Sequence, residues 1–282
     1  MEEMGVPSIA IHTHAFARVA KSTSRLRGFP TLRNAFVPQP VVDRTPEQLR
    51  EYIEGTDPVS KRPFMQEVIE GLLQPLEGKD LTGESFERTT PRLLPADTRD
   101  NLRKMFEENR WTDFMPFVLP TEERVAAMLK GTSQPPDKVV GRMRAGNFRE
   151  AWEYTVEKVA VNAIMAGARP EYFPVILALA ATSQTSRQGS TTSQTCLSVV
   201  NGPIRHEIGM NCGIGAMGPY NHANVTIGRA YSLLSQNGQG GSAPGETYMG
   251  TLGNPLAYSL VFGENEEASP WQSLHVQKGM KQ

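Results

Sequence analysis

Residues 5–40 read GVPSIAIHTHAFARVAKSTSRLRGFPTLRNAFVPQP, and this stretch decides the fold class. The β-rich run Val6–His12 predicts a strand, the spacing from Ala15 to Leu26 a helix, and Arg33–Val37 a second strand. Strand, helix and strand within so short a span make an α/β, Rossmann-like unit. A strand of this kind normally sits inside a sheet with neighbours on both sides. Here it lies close to residue 1, so the expected neighbours come from later in the chain or from another chain.

Working outward, Leu49 and Ile53, then Val68, Ile69, Leu72 and Leu73, predict two helices between Pro46 and Leu76 around a GTDPVSKRP turn. Residues 77–111 are polar and carry Pro91 and Pro95, which predicts a linker with one short helix. The expected organisation is therefore a partial α/β unit at 1–76, a linker at 77–111, and a larger C-terminal α/β domain at 112–282. Thr121 before Glu122 and Glu123 predicts a helix start, since a hydroxyl caps free N–H groups and acids suit the positive end of the helix dipole. A helix from Thr155 to Met165 stops at Gly167, and Pro170 turns the chain into a second one over Tyr172–Thr182. TCLSVVNGP predicts a buried strand, NVTIGRAYSLLSQ a helix and AYSLVFGENEE a late strand.

The composition excludes several functions. Twenty-nine basic and thirty acidic residues leave a formal net charge of -1, with no block of like charge, so neither nucleic acid nor an anionic membrane surface is an expected partner. No apolar run reaches the roughly 18–20 residues of a membrane span, and the first residues lack the pattern of a secretory signal, so the chain reads as cytoplasmic. Two cysteines, Cys196 and Cys212, are too few for a disulfide framework.

Chemistry-bearing residues concentrate in VVNGPIRHEIGMNCGIGAMGPYNHANVTIGRA, residues 199–230. Its Gly213, Gly215 and Gly218 have dinucleotide-fingerprint spacing, but Pro219 interrupts and the next acid is Glu246, so a glycine-rich turn is the better reading. Cys212 sits in a polar, glycine-flanked loop before a helix, where backbone N–H groups favour a thiolate; a small packed thiol has the same sequence signature. Cys196 enters a strand and reads as inert core. Asn201, at a strand end before Gly-Pro, either meets a ligand or closes an Asx-turn. Asn211, Asn221, Asn224 and His222 supply neutral donors and acceptors for a small polar substrate. Glu157 and Asn162 share a helix face, Glu157 as a general base or a structural anchor. Arg169 before Pro170 is a carboxylate clamp or a helix C-terminal charge. His12 and His14 alternate on the predicted first strand, which would suit a divalent metal, as would the carboxylates of Glu264, Glu266 and Glu267; no cofactor is otherwise indicated.

With these segments in place the chain resembles a bacterial family known by a selenocysteine-or-cysteine, Gly, Ser, Cys motif, the UGSC-like (seleno)proteins. The resemblance is carried by FVLPTEERVAAMLKGTSQPPDKVVG, TVEKVAVNAIMAGARPEYFPVILALA, VVNGPI, ANVTIGRAYSLL, GTLGNP and FGENEEASPW, across most of residues 114–272. Residues 1–75 resemble the later half of the motif-bearing domain, although the motif itself is absent from this sequence. The resemblance implies thiol or selenol chemistry on a small-molecule substrate. It also implies a small partner subunit that carries the Cys/Sec-Gly-Ser-Cys motif, or an upstream recoded UGA codon. Two other expectations stand beside it, a non-catalytic assembly subunit and a metal-dependent lyase or hydratase.

Overall fold

The computed structural model describes residues 6–17, 20, 21, 24, 32–75, 91–143, 153–184, 196–239 and 261–280. Strand β1 (Ile9–Thr13) pairs in parallel with β2 (Arg33–Val37), from Ile9 opposite Arg33 to Thr13 opposite Val37. The second strand matches its expected bounds. The first starts three residues late, beyond Pro7, which has no N–H to give a ladder. It ends at Thr13 because β2 runs into Pro38. His14 therefore begins a 3-10 turn, His14–Phe16, and the expectation that His12 and His14 alternate along one strand is corrected. Most of the helix expected at Ala15–Leu26 lies outside the described residues.

The α/β class of the sequence reading is the class of the structure. Helix α1 (Pro46–Glu54) starts with a reciprocal capping box, in which Gln48 N donates to Thr45 Oγ1 and Thr45 N donates to Gln48 Oε1. The buried carboxylate of Asp57 stands at the outer edge of β2, accepting from Phe36 N at 2.7 Å while its other oxygen accepts from Val59 N and Ser60 N. Helix α2 (Phe64–Leu73) ends against Arg33, whose guanidinium donates to the carbonyls of Gly71, Gln74 and Pro75. One β2 side chain thus satisfies carbonyls that a helix terminus leaves open.

The short helix expected in the polar stretch is α3 (Arg99–Glu108), capped by Thr98. Its Phe106 is buried and stacks on Phe117 with ring centroids 5.3 Å apart, so this stretch contributes to the main core. Helix α4 (Glu122–Leu129) starts on its Thr121 cap. The antiparallel pair β3 (Val139–Arg142) and β4 (Glu153–Thr155) leads into α5 (Val156–Met165), capped by Thr155. Val156, Val159, Ala160 and Ala163 of α5 follow helical spacing and are almost wholly buried. A 3-10 turn over Pro170–Tyr172 precedes α6 (Phe173–Ala181).

Next come β5 (Ser198–Val200), the short α7 (Ile204–Glu207), α8 (His222–Gln239), β6 (Val261–Gly263) and α9 (Leu274–Gln277). Ile227, Ala230, Leu233 and Leu234 turn one face of α8 into the core. Another face grips the 110–115 segment. Arg229 pairs with both carboxylate oxygens of Asp113 at 3.0 and 2.9 Å, while Gln236 and Asn237 donate to the carbonyls of Thr112 and Trp111.

Strands β5 and β6 pair in parallel, Ser198 opposite Val261 and Val200 opposite Gly263. The apolar TCLSVV run predicted a buried strand, and this is corrected, because Leu197 is 51% and Val199 44% exposed. Among the described residues β5 has one partner strand only, so one of its edges has no strand beside it there. No described helix is long and apolar enough to cross a membrane.

The Asp113 side chain is only 1% exposed, so it depends on Arg229 for compensation. Arg229→Ala is expected to lower unfolding free energy by about 3–5 kcal/mol, because it leaves a buried charge alone. The double change Asp113→Leu with Arg229→Met is expected to cost much less. Chemical denaturation measures both, and a single variant within about 0.5 kcal/mol of the parent contradicts the role given to the pair.

Candidate active site

The C-terminal ends of the parallel strands β5 and β6 lie side by side, a position where α/β sheets commonly place ligands. Beyond β5 the chain turns through Asn201, Gly202 and Pro203 into α7, with Gly202 at φ +84, a conformation that suits glycine. Beyond β6 it supplies Glu264, Glu266 and Glu267. The two ends are stitched together. The Asn201 amide donates to the Glu264 carboxylate, Glu264 N donates to Val200 O at 2.9 Å, and Gly202 N donates to Glu266 Oε1 at 2.6 Å.

Arg205 of α7 is the centre of this cluster. It is 3% exposed and donates through Nη1 and Nη2 to the two oxygens of Glu267 at 2.9 and 2.8 Å, with Nη2 also 2.9 Å from Glu266 Oε2. The bond to Glu267 raises the guanidinium pKa above its ordinary value. In return Arg205, then His206, holds the Glu267 carboxyl well below the usual carboxylate range. Burial pushes Glu266 up, but the Gly202 N–H and the Arg205 and Ser273 hydrogen bonds outweigh it and leave a net lowering. His206 Nε2 lies 2.9 Å from Glu267 Oε1, and His275 of α9 brings Nδ1 to 3.4 Å from Glu266 Oε1 while its ring covers Gly202.

Cys212 lies against this clamp. Its Sγ contacts the Gly263 backbone so closely that a methyl group there would overlap it, and the Arg205 side chain packs on the same glycine. The thiol is half-buried and also approaches Met210 O at 3.6 Å. Cys196 is a second half-buried thiol, which burial pushes up. That shift disfavours the reactive thiolate form.

The asparagines hold the loop between Cys212 and α8. Asn224 is completely buried, accepts from Asn211 N at 3.1 Å and donates to the carbonyls of Asn211 and Ala216 at 3.0 Å each. Asn211 Nδ2 donates to Ile214 O and to Asn221 Oδ1, and Asn221 Nδ2 donates to the carbonyls of Gly215 and Gly218. Gly213 N and Gly218 N are themselves bonded within the loop. Ile214 and Tyr220 stand fully exposed on it, with Met217 half exposed.

Other sequence candidates lie elsewhere. Glu157 is fastened to Arg92, with Nε at 3.0 Å and Nη2 on the other oxygen, and that hydrogen bonding lowers its pKa. Asn162 donates to Lys158 O and accepts from Asn237 of α8 at 2.8 Å, so the two do not converge on one substrate. Arg169 is exposed at the start of the 170–172 turn. Burial of His12, outweighing its Asn34 bond, lowers its pKa. Among the described residues no group of three or more His, Cys, Asp or Glu is placed to hold a metal ion, so neither the histidine pair nor the Glu264 cluster forms such a centre. Arg205, His206 and His275 escaped the sequence reading. The available signal was an Arg-His-Glu run just beyond one strand and a Glu-rich run just beyond another; His275 had none.

Gly263→Ala is expected to destabilise the chain by about 1–3 kcal/mol through overpacking against Cys212, with Arg205 Cβ also only 3.3 Å away. Adding Cys212→Ala is expected to restore at least 0.5 kcal/mol of that, roughly the least coupling that residues in contact show. Strict additivity in the double-mutant cycle contradicts the contact.

Residues 1–62 match the model of the UGSC family, a span that carries β1, β2 and α1. No curated protein and no solved structure matches the chain.

Proposed function

We propose that the chain forms one wall of a thiol- or selenol-dependent active site acting on a small polar molecule. In this reading the main reactive group, a Cys or Sec in a Gly-Ser-Cys motif, comes from a partner subunit. Cys212 is the thiol this chain contributes. The observation that carries the reading is the placement of Cys212 against Gly263, on which the buried Arg205 also packs, at the ends of β5 and β6. The match of residues 1–62 to the UGSC family supports the same chemistry. Exposed Ile214, Met217 and Tyr220 on the adjoining loop, and exposed Leu197 and Val199 on β5, fit a surface that another chain covers. The reaction classes this reading spans are reduction, C–X bond cleavage and addition–elimination.

The amides of Asn201, Asn211 and Asn224 are engaged with protein groups, so their part in this reading is to fix the loop and the strand ends. That same engagement favours a second reading, in which the chain is an assembly subunit that scaffolds the partner.

The two readings part on thiol cross-linking. In the complex with the motif-bearing subunit, mild oxidation is expected to join Cys212 to the motif, as identified by mass spectrometry of peptides. Cys212→Ser removes the cross-link and Cys196→Ser leaves it intact. If no cross-link forms, or if it forms equally well through Cys196, the catalytic reading fails and the scaffold reading stands.

A further inference from the structure

A cleft outside the strand-end seam joins the start of α3 to one side of α4. Its volume is about 430 Å³, within the range that takes a small molecule, and its walls are Arg99, Leu119, Thr121, Glu123, Arg124 and Ala127. None of these residues belongs to the Cys212 loop or to the Arg205 clamp. Arg99 is the first residue of α3 and Thr121 the cap of α4, so both helix starts border the same space.

The walls carry both signs of charge. Arg99 and Arg124 come from different helices and bring two guanidinium groups to one cleft, where a carboxylate between them offsets their repulsion. Arg124 Nη1 donates to Leu119 O at 2.9 Å. A neutral carbonyl fixes where the guanidinium stands without cancelling its charge, and the other N–H groups of the fork stay available to a ligand. Thr121 Oγ1 accepts from Arg124 N, which leaves the hydroxyl proton to donate. Glu123 adds a carboxylate, which only accepts, and Leu119 and Ala127 add apolar surface. The side chains of Arg99 and Glu123 are not engaged with any other described residue.

A simple anion would meet the arginines but be repelled by Glu123, and a simple cation would have the opposite difficulty. A molecule with a carboxylate and an ammonium group close together, beside a short apolar side chain, matches all three kinds of surface. We propose that this cleft binds a small free α-amino acid. Arg99 and Arg124 receive its carboxylate, Glu123 its ammonium group, and Leu119 and Ala127 its side chain. Such binding does not depend on the thiol chemistry at Cys212.

Nuclear magnetic resonance on the arginine-labelled full chain tests this, with L-alanine as the probe. Propionate and ethylamine, which are alanine without its ammonium and without its carboxylate, are titrated separately at matched ionic strength. The Arg99 and Arg124 Nε resonances are expected to shift saturably with L-alanine. Propionate is expected to bind about tenfold or more weakly, as loss of one charge-assisted contact implies, and ethylamine to leave both resonances unmoved. Arg99→Gln is expected to weaken alanine binding to a similar degree. Glu123→Gln is expected to weaken alanine binding about tenfold while propionate binds as before or tighter. Both side chains are exposed, so these variants are expected to keep the melting temperature of the parent. No saturable shift with L-alanine, propionate binding as tight as that of alanine, or an alanine affinity unchanged in either variant overturns the proposal.

Discussion

A buried guanidinium must be compensated, and in this chain the requirement is met across two strand ends. Arg205 on α7 reaches Glu266 and Glu267 beyond β6, so the two segments cannot separate without exposing an unpaired charge to a low-dielectric interior. The neighbouring bonds follow the same seam. Gly202 N meets Glu266, Asn201 meets Glu264, and His275 closes over Gly202. Cys212 is set against Gly263 because α7 and the loop behind it are held in this place.

The helical core supplies the fixed frame for that seam. Helix α8 is packed on α5 and α6, and Arg229, Gln236 and Asn237 fasten it to the 110–115 segment. Asn224, in the first turn of α8, then passes this rigidity to the loop through three hydrogen bonds. Both ends of the loop are consequently anchored, Cys212 against Gly263 and His222 at Tyr172, whose hydroxyl lies 3.2 Å from His222 Nδ1.

Local features were legible in the sequence. Thr121 and Thr155 marked helix starts because capping involves groups only three residues apart. Strand β2 showed its full length because proline stops it on one side. Pairings over long separations were not legible. Arg205 and Glu267 are 62 residues apart, and Arg92 and Glu157 are 65 apart. Without its partner in view, Glu157 looked like a base on a helix; with Arg92 in place it is an anchored carboxylate. The asparagines were correctly grouped in one loop, but their bonding to each other and to glycine carbonyls is a matter of three-dimensional closure. Cys212 was visible as a thiol in a glycine-rich loop, whereas its contact with Gly263 depends on how that loop folds back onto β6. TCLSVV misled because apolarity alone does not reveal what packs over the faces of a strand.

The clamp has a signature in pH. Glu266 and Glu267 have lowered folded-state pKa values, so the stability they contribute is fully present above the unfolded carboxylate value of about 4.3 and is lost as pH falls through the folded values. The direct measurement is the melting temperature of the parent and of the Glu266→Gln/Glu267→Gln double variant from pH 7 down to about pH 3. The account predicts that the variant melts lower at pH 7 and that the gap narrows steadily as the pH drops below about 4.3, because acid removes from the parent what the substitutions have already removed. A gap that stays constant across the range, or a variant as stable as the parent at pH 7, would contradict the claim that the Arg205 clamp holds the site together.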